Sequence, residues 1–134
     1  PNGLLDRRQL VSVERATHAF EQTFTIVPTG RLVTGIAALS VHDADAPIGV
    51  AAYTMTEAAT AMRTDIVPTT LNGSVEDAVS GICRDMLATG GEHVILLTGT
   101  GTEVDVEKLT TDLGVDVLAF PADGLGHLVE IGVE

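Results

Sequence analysis

Tryptophan is absent, and cysteine and lysine occur once each, as Cys83 and Lys108. A single cysteine excludes an internal disulfide and any metal site built from several thiolates, and it fits a reducing compartment. Aromatic residues make up 3% of the chain, so its core has to come from Val, Leu, Ile and Ala rather than from stacked rings. Besides Lys108 the cations are six arginines, Arg7, Arg8, Arg15, Arg31, Arg63 and Arg84, with no cluster larger than two. Against 19 acidic residues they leave a formal charge of −12. Such a chain lacks a phosphate-neutralising surface, which sets aside nucleic acid and anionic membranes as partners. No apolar run approaches the roughly 20 residues that span a bilayer. The first residues, Pro1 to Arg8, put charges where a signal peptide would carry its apolar stretch. The expected location is the cytoplasm, with no membrane insertion.

What is present is enough for one α/β domain over residues 1–134. Hydrophobic residues reach 45% and the mean hydropathy is +0.31, which excludes a disordered chain. The organising stretch is Thr23 to Pro47. It reads as a buried, parallel strand over 23–27, a breaker at Pro28-Thr29-Gly30, a slim helix over 31–41 and an acidic turn over 42–47. Strand, turn and helix make half of a βαβ unit. Before it, Pro1-Asn2-Gly3 has turn chemistry, and Asp6 with Gln9 opens an amphipathic helix to Phe20, striped by Leu10, Val13, Thr17 and Phe20. After it come a helix over 48–63 and a strand over 65–70, which Pro68 pushes to a sheet edge. Asn72-Gly73 turns the chain into a helix capped by Ser74 and closed by Gly90-Gly91. His93 to Thr98 is a continuous apolar strand of the buried type. A helix capped by Thr102-Glu103-Val104-Asp105 and closed by Gly114, a strand over 115–120 and a final strand over 127–133 complete the order. The last two strands are expected to pair as a hairpin.

Chemistry-bearing residues are sparse. Gly99-Thr100-Gly101-Thr102 lies between a strand and a helix, where backbone N–H groups can hold phosphate. It matches no complete phosphate motif, since position 104 is Val, and Glu103 and Asp105 would repel an anion. An ordinary glycine turn is the preferred reading; a phosphate- or nucleotide-binding module is the alternative. His42, Asp43 and Asp45 are metal-ligand types in a short loop, but adjacent residues rarely converge on one ion, and a self-capped turn is preferred. His18 and His93 read as structural, and His127 sits in a loop. Cys83 reads as a buried small hydrophobe. The slim faces at Ala37-Ala38 and Ala58-Ala59 serve either internal packing or a docking surface. Loops after strands carry sites, so Thr29, Arg31, His42 and Asp45 form the candidate partner-binding rim. Catalytic, cofactor-binding and metal residues are not assigned.

Several motifs are similar to the C-terminal region of FakA-like proteins, the dihydroxyacetone kinase-related subunits of bacterial fatty acid kinase. Ile26-Val27-Pro28-Thr29 resembles the family's "IPT" strand end. Thr34-Gly35-Ile36-Ala37-Ala38 resembles its "QG-AA" helix. Asp43-Ala44-Asp45 and Met55-Thr56-Glu57-Ala58-Ala59 match its acidic turn and "MTEAA" helix. Pro1-Asn2-Gly3 looks like its "LPN" turn, and Ile131-Gly132-Val133-Glu134 like its terminus. The match is densest over 26–59 and loose after 70, where the family's glycine-rich hairpin gives way to Leu71-Asn72-Gly73. The resemblance implies a layered α/β domain with a mixed, largely parallel sheet, similar to a DegV/FakB-like lobe. It implies the C-terminal part of a longer kinase polypeptide, non-catalytic by itself. ATP and magnesium would belong to an upstream helical domain, and the partner would be a FakB-like fatty-acid-binding protein. Apart from the resemblance, a homo-oligomerisation domain with an apolar sheet edge, giving a homodimer, is a further alternative reading.

Overall fold

The computed structural model describes residues 7–19, 24–70 and 72–134, which fall into two compact units, Pro1–Ala61 and Met62–Glu134. The expected turn at Pro1-Asn2-Gly3, the Asp6 cap and Phe20 lie outside the described residues.

In the first unit, α1 is Arg7–Thr17, α2 is Leu32–Ser40 and α3 is Ile48–Ala61. The stripe expected on α1 leaves Val13 and Thr17 half-buried. α2 packs against α3, and its small residues Thr34, Gly35, Ala37 and Ala38 are buried. Thr34 secures the start of α2. Its hydroxyl donates to the Arg31 carbonyl at 2.8 Å and accepts from the Arg31 N–H at 3.2 Å. The acidic turn closes on itself as an Asx turn, the Asp43 carboxylate accepting the Asp45 N–H at 2.9 Å. Pro47 then starts α3, where its missing N–H costs nothing, and its carbonyl accepts from Val50 and Ala51.

Residues 24–29 correct the sequence reading. Among the described residues they pair with no strand, and Phe24 and Thr25 are exposed. Thr23, the start of the expected strand, lies outside the described residues. β-propensity reflects fit to a pleated, half-buried surface, and without a neighbouring strand it builds nothing.

The second unit is a four-stranded mixed sheet with two helices. Its elements are β1 Arg63–Pro68, α4 Val75–Leu87, β2 His93–Thr98, α5 Val106–Leu113, β3 Asp116–Pro121 and β4 Leu128–Val133, with a 3₁₀ turn at Asp123–Leu125. The strand order is β1-β4-β2-β3. Only β2 and β3 run parallel, joined through α5, while β4 is antiparallel to both β1 and β2. The α/β class and the mixed sheet are as expected; the parallel share is one pairing. The expected hairpin of the last two strands does not form, because β4 inserts between β1 and β2. Burial explains the order. Residues 129–133 are buried without a break, which suits a central strand, whereas β3 exposes four of its six residues and suits an edge. Pro68 sits on the opposite edge, where its missing N–H breaks no ladder.

One sheet face carries Val67, Val94, Leu96, Val117, Val129, Ile131 and Val133, which form a single core with Val79 and Cys83 of α4 and Leu109 of α5. Ser74 caps α4 and Gly114 closes α5 as the sequence predicts, whereas α5 is capped by Asp105, the last residue of the expected Thr102–Asp105 cap, and α4 ends at Leu87, ahead of Gly90-Gly91. Ser74 Oγ accepts the Asp77 N–H at 3.3 Å, and Asp105 Oδ1 accepts the Lys108 N–H at 3.0 Å. Gly114 ends α5 in the left-handed region at φ 71°.

Candidate functional site

The first unit contains an apolar cleft of about 460 Å³, within the range of small-molecule and peptide pockets. Its walls come from the segment 24–29, from α2 and from α3. Thr25, Val27 and Thr29 line one side, Gly35, Ala38 and Leu39 another, and Ile48, Ala51, Ala52 and Met55 the third. His42 joins the lining from the loop between the helices. The cleft exists because these positions are small: two alanines stand on the α3 side, and glycine and alanine on the α2 side.

Of the four predicted rim residues, the structure brings two to this cleft. Thr29 is buried and His42 exposed, and both line it. Arg31 is half-buried at the start of α2, and Asp45 is exposed in the Asx turn; neither lines the cleft. Sequence reasoning missed Leu39, Ile48 and Met55, whose apolar character marked them as core. The available signal was the slim alanine faces, since Ala38 is one of the lining residues. Two of the lining side chains are large, apolar and open to solvent: Leu39 is 67% exposed and Ile48 51%. Val50 and Tyr53, also exposed, stand on the other side of α3, where Tyr53 lines a separate hollow with Thr56 and Glu57. Isolated exposed apolar residues are normal, but a concentration on one pair of helices marks an interaction surface. Tyr53 also donates its hydroxyl to Glu57 Oε1 at 2.8 Å; that bond and the carboxylate's charge raise the phenol's pKa.

The second unit's glycine turn has a packing explanation. A Cβ on Gly99 would lie 2.0 Å from the Gly126 carbonyl oxygen and 2.7 Å from that of Leu128. The Gly99 N–H donates to that same Leu128 oxygen at 2.9 Å. Gly101 has φ 71°, which the turn requires. The adjacent hollow, about 380 Å³, is lined by Glu103 and His127 along with Thr100, Gly101 and Thr102. Its glutamate disfavours an anion. Among the described residues, no three His, Cys, Asp or Glu side chains converge as a metal site. No helix among them is long and apolar enough to cross a membrane.

Fold and cleft thus define, among the described residues, an α/β chain with an apolar cleft carried by a helix pair. Residues 7–70, which include the entire cleft, match the FakA-like C-terminal family of fatty acid kinase subunits. Across this stretch the chain is similar to that family, as its motifs imply, and the match stops at residue 70, where the resemblance loosens. No curated protein matches the chain significantly.

Proposed function

We propose that residues 24–61 form a non-catalytic docking surface for the fatty-acid-carrying partner of the kinase, a FakB-like protein, in the cytoplasm. In this reading ATP and magnesium are handled by another part of the kinase, and this chain holds the acyl carrier in place. The observation that carries the proposal is the coincidence of the family match with the apolar cleft and its exposed Leu39 and Ile48. Buried apolar anchors surrounded by neutral contacts are what dominate binding energy at protein interfaces. The net charge of −12 would accelerate encounter with a basic partner surface. The test is titration of the chain with the lipid-loaded partner, comparing wild type with Leu39→Asp. Because Leu39 is 67% exposed, the variant keeps the fold. Affinity should fall about tenfold or more, the usual effect of losing a ~1.4 kcal/mol anchor. Equal affinity would remove the cleft rim from the interface.

A further inference from the structure

We propose that the outer edge of β3 binds an extended, basic segment of a partner polypeptide, which joins the sheet as a fifth strand. The inference concerns the second unit and is independent of the cleft's role. It begins with a contrast between the two sheet edges. On β1, the bond from the Thr69 N–H to the His127 oxygen fixes the alternation, so Thr64, Ile66 and Pro68 turn their backbone groups outward. That edge is guarded: Asp65 Oδ1 takes the Ile66 N–H at 2.7 Å, and Pro68 has no N–H. On β3, the Ala122 N–H donates to the Thr98 oxygen of β2 at 2.8 Å. Leu118 and Phe120 therefore bond inward, and Val117 and Ala119 present their N–H and C=O groups outward. Among the described residues no side chain takes either N–H, and no charge stands on the strand between Asp116 and Pro121.

The side chains reinforce the contrast. Leu118 and Phe120 stand two residues apart on one face, 52% and 46% exposed. A strand laid against this edge would place alternate apolar residues beside them, the usual mode of β-augmentation. Charge selects the occupant. Residues 62–134 hold thirteen of the 19 acidic residues and only three basic ones, Arg63, Arg84 and Lys108. Asp116 opens the strand and Asp123 follows it, both exposed. A second copy would set this acidic surface against itself, whereas a segment alternating basic and apolar residues satisfies both the charge and the apolar pair.

The probe is a fluorescently labelled peptide of about eight alternating lysines and valines, titrated against the full chain and read by anisotropy, with a glutamate–valine peptide as control. Saturable binding of the lysine peptide is expected, weakening severalfold as salt rises from about 50 to about 500 mM. Ala119→Pro removes one outward N–H and no bond to β2, and should weaken binding about tenfold with an unchanged circular dichroism spectrum. If that variant misfolds, Leu118→Lys, at an exposed position, should produce the same loss. No binding of the lysine peptide, equal binding of the glutamate peptide, or unaltered binding by the folded variants would overturn the proposal. So would sedimentation showing a dimer of the chain that Ala119→Pro dissociates, since the occupant would then be a second copy.

Discussion

At the scale of single residues, the clearest dependence is on Gly99. Its missing side chain lets the backbone lie against the Gly126 and Leu128 carbonyls, and both contacts are with rigid backbone. Gly99→Ala should lower stability by about 2 kcal/mol or more, as overpacking does, read from a denaturant midpoint. Loss within a few tenths of that method's noise would show the turn can shift. Cys83 gives a pH signature. Burial in the core pushes its thiol from 9.0 up to about 11. Folding therefore favours the protonated thiol: this contribution is complete below about pH 9 and is lost as pH rises towards about 11. Stability of the wild type should fall across that window more steeply than that of Cys83→Ala, and native Cys83 should resist thiol reagents at pH 8. The cysteine's burial was legible from the sequence, because Cys83 lies beside the apolar stripe of its helix. The role of Gly99 was not, because its reason is a contact with residues 126 and 128, far along the chain.

Elements show where local reading works and where it stops. Helix ends set by a cap were partly legible because caps are local chemistry: Ser74 and Gly114 each act within one turn, while α4 ends at Leu87, ahead of the Gly90-Gly91 pair expected to close it. Strand pairing was not, because it depends on partners distant in sequence. The run over 23–27 has strand composition, its described residues 24–27 join no ladder among the described residues, and β4 pairs with β1 and β2 rather than with β3. The cleft was half legible, since the small residues that open it are visible and the helix packing that frames it is not. Arg63 is a second long-range device. Its guanidinium donates to the Met86 and Gly90 carbonyls and to Thr89 Oγ1, tying β1 to the end of α4, where a cation also suits the helix dipole. Arg63→Ala should cost about 1–3 kcal/mol, measured by urea unfolding, and Arg63→Lys should recover part of it. A silent Arg63→Ala would mean solvent replaces these bonds without loss.

For the whole molecule, charge and apolar exposure are divided between the units. The first unit holds the cleft and the exposed apolar rim of its helices, and the second holds most of the carboxylates around a sheet with one guarded and one open edge. The family match covers the cleft and ends before α4. The claim that the cleft docks the acyl carrier is tested most directly by calorimetric titration of the chain with its fatty-acid-loaded partner, with magnesium-ATP as a separate titrant. The account predicts saturable heat with the lipid carrier, lost in Leu39→Asp, and none with ATP. Heat with ATP and silence with the carrier would contradict it.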